Sequence, residues 1–149
     1  MSSTDGQLID AALELLSTRL PAGWTVERAQ GQGAGTGDDG ALFVFSTQFG
    51  GGAGSTIVEA KRNFAAADVE RLLGGLTRRL RETSGDRTIL LVSEFLSPRT
   101  RELLAQEDIS YLDLTGNIRL VMRTPPTFVE VTGADRRPRT ASSKRTVGL

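Results

Sequence analysis

The chain has 149 residues, the length of one domain, and its 18 basic and 18 acidic residues balance, so no global field points to nucleic acid or a membrane. It contains neither cysteine nor histidine, which excludes disulfides, thiolate or imidazole metal sites, a Cys nucleophile and a Ser-His-Asp triad. No apolar run approaches the roughly 18–20 residues of a membrane span and the polar 1–6 segment is no signal peptide, so a soluble cytoplasmic protein is expected, with any catalysis left to carboxylates, Lys, Arg, hydroxyls or backbone groups.

Gln7 to Leu20 places Leu8, Ile9, Ala12, Leu13, Leu15, Leu16 and Leu20 at helical spacing. Thr4 or Asp5 would cap this helix, and Pro21 and Gly23 follow its end. Trp24 to Ala29 alternates like a short strand. A Gly-rich loop, 31–40, leads to a buried-type strand, Ala41 to Thr47. The segment QFGGGAGS, 48–55, reads as a loose hairpin into a strand over Thr56 to Ala60. It lacks the Lys-Ser/Thr of a phosphate-binding P-loop, and the G-x-G spacing of 31–37 opens no helix.

Helical spacing returns over Ala65 to Glu82, with Ala66, Val69, Leu72, Leu73, Leu76 and Leu80 on one side. Gly74 and Gly75 interrupt it, at about 1 kcal/mol each relative to Ala; close packing on a sheet or a kink would account for them. Thr88 to Val92 is a fully buried strand, and Ser93-Glu94 after it falls at a strand end, where ligands often bind. Ser97-Pro98 reads as N-cap and first position of a helix running to Glu107. Tyr111 to Leu114 and Ile118 to Met122 are strands joined by a Thr115-Gly116-Asn117 turn. Asp113 and Asn117 would build this turn, with Gly116 supplying a positive φ. Thr127 to Thr132 is a last edge strand.

Three early strands on short loops imply an antiparallel meander, and the later strand–helix–strand implies a parallel crossover. The expected fold is α/β, a mixed sheet with helices on both faces, occupying residues 1–132. Charge is uneven along the chain. Residues 1–122 hold 12 basic and 16 acidic residues, whereas 123–149 hold six basic and two acidic. Residues 133–149 are also poor in apolar side chains and read as a basic tail or linker.

Glu59-Ala60-Lys61 carries the chemistry. Strand side chains alternate, so Glu59 and Lys61 project together, away from Val58 and Ala60. A carboxylate there can hold a divalent cation, and the neighbouring ammonium can stabilise charge on a phosphate. A second carboxylate would complete such a site. Asp39, just ahead of the preceding strand, is the candidate, with Glu14 on the first helix as a further member. The alternative is a structural ion pair at a strand end.

The order αβββαβ with VEAK, 58–61, on the third strand resembles the PD-(D/E)XK nuclease superfamily across roughly 7–122. That resemblance implies a restriction-endonuclease-like core. It also implies Mg²⁺ held by Glu59 and Asp39, with Glu59, Lys61 and Asp39 as the catalytic set for phosphodiester cleavage. The sequence departs from the pattern on the second strand, where 42–48 contains no acid.

The stretch LSPRTRELLAQEDISYLDLTGNIRL, 96–120, with TGADRRPR, 132–139, resembles the N-terminal region of actinobacterial AbiEi-type antitoxin and regulator proteins. This implies a DNA-linked regulator or defence protein whose nuclease-like domain is degenerate. A further helix-turn-helix domain or partner protein would then supply DNA binding, and Arg62, Arg78, Arg136, Arg137 and Arg139 are the candidate DNA contacts. An active Mg²⁺-dependent endonuclease and a protein-interaction or homodimerisation module remain the alternatives.

Overall fold

A computed structural model describes residues 2–29, 41–50, 52–82, 88–123 and 126–138. The elements in chain order are α1 (Ser2–Arg19), β1 (Trp24–Ala29), β2 (Ala41–Thr47), β3 (Gly54–Ala60), α2 (Val69–Glu82), β4 (Thr88–Ser93), α3 (Pro98–Gln106), β5 (Ser110–Asp113), β6 (Ile118–Met122) and β7 (Thr127–Val131). A single 3-10 turn, Ala66–Asp68, leads into α2. The fold is α/β with one seven-stranded mixed sheet.

The strands lie side by side in chain order, from β1 to β7. β1, β2 and β3 form the antiparallel meander, with Val26 opposite Phe45 and Leu42 opposite Ile57. β3–β4 and β4–β5 are parallel, with Glu59 beside Leu91 and Leu91 beside Tyr111. β5, β6 and β7 are again antiparallel. The two parallel steps run in the same direction along the sheet. Right-handed crossovers must then place α2 and α3 on one face, and α1 is left to cover the other.

The core is accordingly two layers. Under α1, Leu8, Ile9, Ala12 and Leu16 pack on Val26, Phe43, Phe45, Val58, Leu90, Val92, Leu112, Ile118 and Leu120. Phe43 and Phe45 are fully buried there, and burial of such a side chain stabilises the fold by about 1.5–3 kcal/mol. Under α2 and α3, Phe64, Val69, Leu72, Leu96 and Leu104 pack on Ile89, Leu91 and Tyr111. The strict alternation of β4, with Leu90 and Val92 on one side and Ile89 and Leu91 on the other, separates the two layers.

Local chemistry sets the helix starts. Ser97 Oγ accepts from the Thr100 amide at 3.2 Å, and Pro98 takes the first helical position, where its missing N–H costs nothing. Ahead of α2, the Asp68 carboxylate accepts from the Ala65 amide at 2.9 Å. α1 starts at Ser2, earlier than the apolar periodicity predicts.

Among the described residues Gly74 and Gly75 are not explained by close packing, because a Cβ on either would meet nothing there within 4 Å. α2 runs through both, from Val69 to Glu82. Just beyond residue 132 the chain is bonded to the body. Gly133 and Ala134 are hydrogen-bonded to the β5–β6 turn, and Asp135 and Arg137 are ion-paired to Arg101 and Glu94. Residues 139–149 lie outside the described residues.

Candidate functional site

β3 carries Val58 and Ala60 into the layer under α1, so Glu59 and Lys61 point to the α2 side. The strand ladder continues one residue beyond β3, since the Lys61 amide donates to Val92 O at 2.8 Å. This fixes the backbone of Lys61 at the C-terminal end of the parallel pair β3–β4, the end of an α/β sheet where ligands bind. Arg62 O then accepts from Ser93 Oγ at 3.2 Å and from the Glu94 amide at 3.4 Å. Beyond it the chain turns back, and buried Phe64 anchors the turn against the α2-side core.

The result is a cleft of about 260 Å³ lined by Glu59, Lys61, Asn63, Phe64, Asp68, Arg71, Leu72 and Gly75. Every described lining residue lies between 59 and 75, on one strand end, one turn and the first turns of one helix. Lys61, Asn63 and Arg71 are exposed at its mouth, Glu59 is half-buried, and Phe64 and Leu72 are buried. Asp68 is occupied on both oxygens. Oδ2 takes the Ala65 amide, and Oδ1 faces Arg71 Nη1 at 3.5 Å. Arg71 nonetheless keeps 84% of its side chain exposed.

The structure brings together Glu59 and Lys61 as the alternation predicts. Asp39 lies outside the described residues. Glu14 does not join the site: it is exposed on α1, on the opposite side of the sheet from Glu59. Among the described residues no group of three or more acids gathers to hold a metal. Asp68 and Arg71 were not singled out from the sequence as site residues. Their only signal was the acid at the start of a helix, which reads equally well as a dipole partner.

A second cluster of charge sits at the same strand ends. Glu94 faces Arg62 Nη2 at 3.1 Å and Arg137 Nη1 at 3.9 Å, and the Arg137 guanidinium lies 5.7 Å from the Phe95 ring centre. Two of the predicted DNA contacts, Arg62 and Arg137, are therefore gathered by one carboxylate. Arg136 is exposed beside them in sequence. The side chain of Arg78 and all of Arg139 lie outside the described residues.

The turn motif is a polar knot. Asp113, fully buried, accepts from the amides of Leu96, Thr115 and Asn117, from Thr115 Oγ1 and from Asn117 Nδ2, at 2.7–3.2 Å. Gly116 has φ +106°, which only glycine adopts readily. The turn role expected for Asp113, Gly116 and Asn117 is what the structure displays.

No family model, curated protein or solved structure matches this chain. No helix among the described residues is long and apolar enough to cross a membrane.

Proposed function

We propose that this chain is a PD-(D/E)XK-like domain, with a restriction-endonuclease-like αβββαβ core, that holds DNA as part of a regulator or defence protein and does not cut it. The observation that carries this reading is the placement of Glu59 and Lys61 on one cleft at the C-terminal end of β3–β4. The element order from α1 to β4 supports it too.

The fit to Mg²⁺ is the first test of such a site. Mg²⁺ bound by protein is usually held through one or two carboxylates together with waters and substrate phosphate, and the resemblance implies a pair. The described residues bring Glu59 and Asp68 to the cleft, but Asp68 takes the Ala65 amide ahead of α2 and pairs only loosely, at 3.5 Å, with the exposed Arg71. With Asp68 engaged in the turn ahead of α2, the described residues do not supply that pair. What remains is binding. Lys61 and Arg71 offer cations to a phosphate, and Asn63 beside them offers an amide donor. Arg62 and Arg137 lie at the same strand ends and extend the positive side chains beyond the cleft.

An active Mg²⁺-dependent endonuclease is the second reading, favoured by the intact Glu59-Ala60-Lys61, with Asp39 as the second carboxylate. Plasmid DNA incubated with Mg²⁺ or Mn²⁺ and either wild type or Glu59→Ala separates the two. The binding reading predicts intact plasmid with both proteins and a retarded band with wild type. Nicking by wild type that disappears in Glu59→Ala would establish the endonuclease instead. No retardation and no nicking would overturn both readings.

A further inference from the structure

We propose that β7 is a dimerisation edge: two copies of the chain pair antiparallel along it, about a two-fold axis at Val129, into one continuous sheet. This goes beyond the nucleic-acid reading and does not depend on it.

β7 ends the sheet, bonded to β6 on one side and to no described strand on the other. Such an edge offers backbone donors and acceptors to another chain, and charged side chains are a common guard against this. The two end strands differ in that guard. β1 exposes Glu27 and Arg28, and Asp10 holds Arg28 at 3.0 Å. β7, TFVEV, carries a single charge, Glu130, and leaves Phe128 62% exposed. Val129 and Val131 pack on the core under α1. Phe128 and Glu130 point to the other face, where no residue of β6 or β7 belongs to the described core under α2 and α3.

Charge complementarity selects a second copy as the occupant. Arg119 lies opposite Glu130 in the β6–β7 register, yet its guanidinium leans to Phe128, 5.7 Å from the ring centre, and to Asp108, 3.6 Å from Nη1. That Nη1 is buried and has no hydrogen-bond partner among the described residues. An antiparallel pair about Val129 sets Val129 opposite its own copy and Phe128 opposite Glu130 of the second copy. Directly opposed side chains stand about 4.5–5.5 Å apart at Cβ. The second copy's Glu130 therefore arrives beside the ring on which Arg119 lies and brings this guanidinium a further carboxylate. Symmetry repeats the contact, and the two-fold closes the assembly at two chains.

The chain has no cysteine, so a single introduced one reports the register. Opposed Cα atoms of an antiparallel pair lie about 4.5 or 5.5 Å apart, within disulfide reach. Val129→Cys, Phe128→Cys and, on the β1 edge, Thr25→Cys are oxidised and run on non-reducing gels. Wild type and Glu130→Lys are compared by sedimentation equilibrium, with far-UV circular dichroism to show that both are folded. Wild type should sediment at twice the 16.0 kDa chain mass. Val129→Cys should link into dimers and the other two should not. Glu130→Lys sets like charges together across the axis and should raise the dissociation constant by about tenfold or more. The cross-links decide the matter if that variant misfolds. Wild type that stays at the mass of one chain, or whose mass grows past two, would overturn the proposal. So would linkage at 25 or 128 in place of 129, or a folded Glu130→Lys that dimerises as tightly as wild type.

Discussion

Gly133 and Asn117 stand 16 residues apart in the chain and are joined by a 2.6 Å hydrogen bond from the Gly133 amide to Asn117 Oδ1. The Asn117 amide group donates in return to Ala134 O at 2.8 Å and to Asp113 Oδ2 at 2.8 Å. Asp113 also takes the Leu96 amide just ahead of α3. One buried carboxylate and one buried amide thus tie the β5–β6 turn, the approach to α3 and the segment after β7 into a single unit. This explains why the YLDLTGN and TGADRR stretches, remote in sequence, belong together physically.

Removal of Asp113 strands several buried donors at once. Each unsatisfied buried group costs about 1–3 kcal/mol. Asp113→Ala should therefore lose on the order of 3 kcal/mol or more in urea unfolding. A loss below about 1 kcal/mol would show that the knot is not holding these segments together.

Gly133 should be intolerant of a side chain for a different reason. A Cβ there would lie 2.8 Å from Asn117 N and from Gly116 C, both backbone atoms that cannot swing aside. Gly133→Ala should cost about 1–3 kcal/mol, as overpacking does. Amide hydrogen exchange at 133 and 134 should quicken in the variant; unchanged protection would contradict the close approach.

Much of this architecture was legible because local rules decide it. The strands Trp24–Ala29, Ala41–Thr47 and Ile118–Met122 have the expected bounds, and the period of two on β3 puts Glu59 and Lys61 on one side. Ser97-Pro98 reads as a helix start because capping is a matter of adjacent residues. The rest was hidden because it depends on packing between distant segments. The ion pair of Arg101 with Asp135 spans 34 residues, and nothing in a stretch rich in Ser, Thr and Arg signals that its first residues dock. The part played by Asp68 was equally hidden, because whether its oxygens serve a ligand or the backbone depends on the turn at Ala65. Nor does helix periodicity say which face of the sheet α1, and Glu14 with it, covers.

Glu94 holds Arg62 and Arg137 in check with a carboxylate that is one-third exposed. Glu94→Gln would remove the charge and leave both guanidinium groups in place. DNA affinity at low salt should rise severalfold, with a stability change within about 1 kcal/mol because such a pair is largely solvated. Unchanged or weaker binding by the variant would exclude these arginines from the interface.

Tyr111 gives the fold an alkaline sensitivity. The residue is 6% exposed, and burial pushes the phenol above its ordinary pKa of 10.0. Arg101 opposes this, Glu130 adds to it, Arg119 opposes it and Asp113 adds to it more weakly. The folded state keeps the proton at pH values where the unfolded chain has released it. The contribution of Tyr111 is therefore fully present below pH 10 and is lost as pH rises through the folded pKa. Chemical denaturation across that range should show a decline that Tyr111→Phe reduces; an identical decline in the variant would place the sensitivity elsewhere.

If the Glu59–Lys61 cleft holds nucleic-acid phosphate, Lys61 is one of its contacts, and oligonucleotide affinity measured across a salt series for wild type and Lys61→Ala reads that contact. Loss of one phosphate contact should weaken binding at every salt concentration and reduce the slope of log affinity against log salt by about 1. Identical affinity and slope in the two proteins would contradict the claim.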